Sequence, residues 1–116
     1  IIFFNNGGQT LKGDRPDAHR LANKLLVVNE QYSGVLRYYL QSGRYEPIYA
    51  ELFTRNEIFS FTESLVDALP DGGYYIEEQN SSVLWILKDG EVKYKNILPS
   101  QHEGHHHLAN WGRVMP

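Results

Sequence analysis

Apolar residues fall in two rhythms along this chain, one of period near two and one of period near 3.6. Ile1-Ile2-Phe3-Phe4 is a short continuous apolar run stopped by Asn5-Asn6-Gly7-Gly8, the pattern of a buried strand ended by turn residues. Asp14-Arg15-Pro16-Asp17 reads as a helix start, with Asp14 able to accept from the free amides and Pro16 tolerated in the first turn. Ala18, Leu21, Ala22, Leu25 and Leu26 then recur at helical spacing, which predicts a helix over 15–31. After Ser33-Gly34 two readings stand open. Val35, Leu36, Tyr39 and Leu40 continue the helix past a kink, or the stretch to Tyr49 folds as a hairpin turning at Ser42-Gly43. In the hairpin Leu40 faces Tyr45, Tyr38 faces Pro47 and Leu36 faces Tyr49, while Arg37, Gln41, Arg44 and Glu46 occupy the other face. Aromatic and β-branched content favours the hairpin, with Pro47 confining its strand to an edge or a bulge.

Thr54-Arg55-Asn56-Glu57 has the spacing of a capping box, in which hydroxyl and carboxylate each satisfy an amide at a helix start. Ile58, Phe61, Thr62, Leu65 and Leu69 form a stripe behind it, predicting a second helix that stops at Pro70-Asp71-Gly72-Gly73. A meander follows over 74–78, 82–88 and 91–97. Asp89-Gly90 supplies the positive φ angles of a two-residue type I′ turn, pairing Leu87 with Val92 and Trp85 with Tyr94. Ser100 and Glu103 repeat the capping spacing before a short helix over 101–110, and residues 112–116 are expected to form a loose tail.

These elements describe one α+β domain over 1–116, with an antiparallel sheet of about five strands and two main amphipathic helices. The order α-β-β-α-β-β-β-α resembles that of profilin-like and roadblock-type domains. That resemblance implies a sheet carrying helices on its faces and serving as a dimerisation or docking platform. It rests on element order alone, so no residue role follows from it.

Composition narrows the function. The 116 residues carry 11 Lys and Arg against 14 Asp and Glu, a net charge of −3. A mildly acidic surface argues against capture of nucleic acid or anionic membrane. With no cysteine, a disulfide, thiolate metal site or cysteine nucleophile is ruled out, and a reducing, cytoplasmic setting is the expectation, a leader cleaved upstream of Ile1 staying open. The longest apolar run, Val83-Leu84-Trp85-Ile86-Leu87, is far shorter than the roughly 20 residues of a spanning helix.

Four of the five histidines lie between 102 and 107, and His102-Glu103-Gly104-His105-His106 is a literal H-E-x-x-H. On a helix, His102 and His106 would share a face and reach one zinc, with Glu103 beside the bound water as general base. This resembles the zincin metallopeptidase motif over five residues. The extended motif would place Gly at 109 and His at 112, where this chain has Ala109 and Gly112. Gly8 to Gly13 lacks the Lys and Ser or Thr of a phosphate loop, and Asp14 would repel phosphate there. Tyr38, Tyr39, Tyr45 and Tyr49 cluster in sequence, and tyrosine suits interfaces because its ring is apolar while its hydroxyl stays wet. The expectation is therefore a small non-enzymatic binding or assembly module, a homodimer or protein-docking domain needing no cofactor. The alternative is a zinc-dependent hydrolase built on His102, Glu103 and His106.

Overall fold

A computed structural model describes residues 1–6, 33–60, 63–105 and 107–115. It contains two antiparallel sheets in chain order. The first joins β1 (Ile2–Asn5), β2 (Gly34–Tyr39) and β3 (Arg44–Ile48); the second joins β4 (Ser64–Ala68), β5 (Tyr74–Glu78), β6 (Val83–Lys88) and β7 (Glu91–Ile97). A single turn-and-a-half helix, α1 (Ala50–Arg55), and a 3-10 turn over Gln79–Ser81 are the only helical elements among the described residues. The fold is thus mainly β. It corrects the expectation of one five-strand sheet with two main helices, and with it the profilin-like or roadblock-type order. The helix expected over 15–31 lies outside the described residues.

The second expected helix fails for a local reason. Thr54 does not open a helix; its hydroxyl donates back to the Ala50 carbonyl at 3.2 Å, in the last turn of α1. Asn56 closes that helix, its backbone and side-chain amides both donating to the Leu52 carbonyl, and Glu57 follows with φ 54°. Glu57 thereby holds the left-handed position that ends many helices. Beyond it Ile58 and Ser60 are buried and the chain enters β4, where Val66 pairs with Ile76. The stripe at Ile58, Leu65 and Leu69 reflects strand alternation and loop burial, not one helical face. The C-terminal helix expected over 101–110 is also absent from its described part: residues 101–104 form turns and 107–110 have no regular structure.

One core joins both sheets. Val35, Ile48, Leu52, Phe53 and Ile58 meet Tyr74, Ile76, Val83, Trp85 and Leu87, with Ile2 and Phe4 packed at the margin. The Phe4 ring lies 6.1 Å from that of Phe53, and Arg37 reaches across to donate to the Tyr74 hydroxyl at 2.6 Å. Buried polar groups hold the seams. The Glu78 carboxylate accepts from Trp85 Nε1 at 3.0 Å, Ser81 Oγ at 2.9 Å and the Phe59 amide at 3.2 Å. Ser33 ties the start of β2 to the segment before β4, its Oγ accepting from the Ser60 amide at 2.8 Å.

The hairpin of β2 and β3 forms, with a register two residues from the expected one: Tyr38 opposes Tyr45 and Leu36 opposes Pro47. A shift of two keeps every side chain on its face. The loop spans Leu40 to Gly43, whose φ is 68°. In the last hairpin Asp89 and Gly90 have φ of 53° and 72°, as a type I′ turn requires, and Leu87 opposes Val92. A bulge then shifts the ladder so that Trp85 opposes Lys95 rather than Tyr94. The Lys95 ammonium sits 4.6 Å from the Trp85 ring centroid.

Candidate functional site

The first sheet sets its two faces apart by chemistry. Ile2, Phe4, Val35, Arg37 and Ile48 turn to the core, so alternation sends Phe3, Leu36, Tyr38, Tyr45 and Pro47 to the outside. The rings of Tyr38 and Tyr45 are 4.9 Å apart and tilted by 38°, and Phe3 meets Tyr45 edge-on at 6.1 Å. Such offset and edge-to-face contacts are the favoured geometries of aromatic pairs. Tyr45 remains 63% exposed and Phe3 37%. Among the described residues, this outer face bears an aromatic cluster and no charged side chain.

The four tyrosines singled out by sequence divide between two surroundings. Tyr38 and Tyr45 belong to the outer face. Tyr39 lies on the opposite side of β2, where its hydroxyl donates to Glu46, which in turn lies 4.0 Å from Arg37. Tyr49 packs against the core edge, its ring 5.9 Å from that of Tyr74 and near perpendicular to it. Phe3 carries no sequence signal for this face, because a continuous apolar run gives no hint that alternate residues face outward.

Residues 102–105 of the histidine tract form an exposed turn. The His105 amide donates to the His102 carbonyl at 3.2 Å, Gly104 has φ 72°, and the His102 and His105 rings are 6.0 Å apart. Glu103 contributes its carbonyl to His105 Nδ1 at 2.9 Å. His102 and Glu103 therefore sit on a turn rather than on the helical face that an H-E-x-x-H site uses, and His106 lies outside the described residues. Among the described residues no group of three or more His, Asp or Glu is placed to hold a metal ion.

A further cluster lies on the outer face of the second sheet. Every residue of β5 is buried, although alternation would leave one face to solvent. The C-terminal segment supplies the cover: Ala109 is buried and the Gly112 amide donates to Glu77 Oε2. Gly112, the first residue of the expected tail, is therefore anchored. Glu77, with 0% exposure, also accepts from Tyr75 Oη at 3.1 Å and Gln79 Nε2 at 2.8 Å. All of these donors are neutral. Burial, reinforced by the neighbouring Glu77 carboxylate, pushes the Tyr75 phenol well above its ordinary range. Sequence reading overlooked Glu77 and Glu78, since consecutive acidic residues ordinarily mark a solvated strand end.

No helix among the described residues is long and apolar enough to cross a membrane. No family model matches the chain, and no curated protein or solved structure is significantly similar to it.

Proposed function

We propose that the protein is a small non-enzymatic assembly module that self-associates, two copies meeting through the outer face of the three-stranded sheet. The outward cluster of Phe3, Tyr38 and Tyr45 is the observation that supports this reading. A two-fold interface presents the same patch twice and must be complementary to itself. Its described residues carry no charged side chain to repel the same patch on a second copy, and its aromatic rings supply large apolar area at low entropic cost. Tyrosine hydroxyls at the margin stay hydrated when the rings are covered. Arg37 and Glu46, which would oppose their own copies, point to the other side.

Light scattering across a dilution series tests the reading. The wild type is expected to run as a dimer, and Tyr45→Asp, which places a charge in the centre of the patch, as a folded monomer. Tyr94→Asp, on an exposed residue of the other sheet, should leave the dimer unchanged. A wild type that is monomeric at every concentration would overturn the proposal.

A further inference from the structure

A second surface lies away from that face, at the seam where β1 comes alongside β4. An open cavity of about 400 Å³ lies there, lined among the described residues by Phe4, Leu65, Glu63, Asn110, Gln79 and Trp111. Its volume falls in the range that takes a small ligand. None of the described residues lining it is basic. From these observations we infer that the cavity binds an organic cation of the alkylammonium or guanidinium class, such as a basic side chain of a peptide.

Four residues carry the inference. Gln79 is 7% exposed, and its Nε2 is committed to Glu77 Oε1. With that N–H engaged, the carbonyl oxygen of the amide is the group Gln79 can offer a ligand in the cavity it lines. Behind it, Glu77 is fully buried and hydrogen-bonded only to neutral donors, with no ion pair among the described residues. A cation bound at the amide oxygen would therefore meet a chain of acceptors, with no basic group among the described residues lining the cavity to oppose it. Glu63, exposed and lining the cavity, adds a second acidic group with no cationic partner among the described residues.

Trp111 supplies the aromatic wall. It lies between buried Ala109 and anchored Gly112, yet its own side chain is 80% exposed and its φ is 60°. A bulky residue in the left-handed region is uncommon and concentrates at sites where strain serves a purpose. An indole beside carboxylate and carbonyl oxygens favours a cation over a neutral group, because the ring face is itself electron-rich.

The chain has two tryptophans, and Trp85 is buried in the core, so two indole N–H signals in an NMR titration separate the site from the fold. Ethylguanidinium and n-propylammonium at constant ionic strength should shift the Trp111 indole and the Gln79 side-chain amide saturably, leaving Trp85 in place. Glu63→Gln should weaken binding about tenfold, and Trp111→Ala at least as much, with Trp111→Phe retaining most of it. Both residues are exposed, so the unmoved Trp85 signal reports an intact fold in the Glu63 variant and in the wild type alike. The inference is overturned if neither cation gives a saturable shift. It is equally overturned if methyl β-glucoside shifts the same signals in their place, or if Glu63→Gln binds as tightly as the wild type. None of these readings depends on the oligomeric state.

Discussion

Gly112 and Glu77, 35 residues apart in the chain, are joined by a hydrogen bond from the glycine amide to the buried carboxylate. A Cβ at position 112 would overlap both Glu77 Oε2 and the Tyr75 hydroxyl. Neither can retreat easily, since both belong to the buried strand β5. Gly112→Ala is therefore expected to lower stability by about 1–3 kcal/mol, the usual cost of forcing extra atoms into a packed site. Gly34→Ala is the control: a Cβ there meets open space, and the urea midpoint should move by less than about 0.5 kcal/mol equivalent.

The raised Tyr75 phenol has a consequence for alkaline stability. Because the folded state holds the proton more tightly than the unfolded chain, the associated stability is complete below the unfolded value of about 10 and falls as pH rises through the folded one. Absorbance at 295 nm should show a late component, Tyr75, titrating well above pH 10 or together with unfolding. Tyr75→Phe should remove that component of the alkaline transition. A single titration of all eight tyrosines near pH 10 in a folded protein would contradict the assignment.

Glu78→Gln tests the seam under Trp85. The carboxylate accepts on both oxygens, from Trp85 on one and from Phe59 and Ser81 on the other. An amide in either orientation sets an N–H against one of these donors. The expected loss is about 1–3 kcal/mol in denaturant unfolding, that of a buried donor left without an acceptor. The same change at exposed Glu63 should cost little.

How far the fold could be read from sequence depended on whether a signal was local. Asp89-Gly90 specifies its turn with two residues, and the turn forms. The bulge two residues later is invisible to alternation, which pairs Trp85 with Tyr94 where the structure pairs it with Lys95. Parity in β2 and β3 was legible even though the register was not, which is why Tyr38 and Tyr45 were assigned together to one face. The direction of that face was not legible, because it depends on Val35 and Ile48 meeting the other sheet. Thr54 to Glu57 illustrates the opposite failure: a sound local motif that tertiary packing uses to end a helix. Glu77 became part of a candidate site only through Gly112, a contact no local pattern encodes.

The order β4-β5-β6-β7 repeats the order of the chain, whereas β1 finds β2 only when Asn5 is brought to Gly34. Successive hairpins close over short distances, and a pairing across a longer stretch must first overcome a larger loss of chain freedom. The second half of the sequence is thus expected to set its structure earlier in time than the first. Pulse-labelled amide exchange during refolding should protect β5 and β6 before β1; protection of β1 first would refute this. The strand nearest the start of the chain then joins a scaffold already built by residues that follow it.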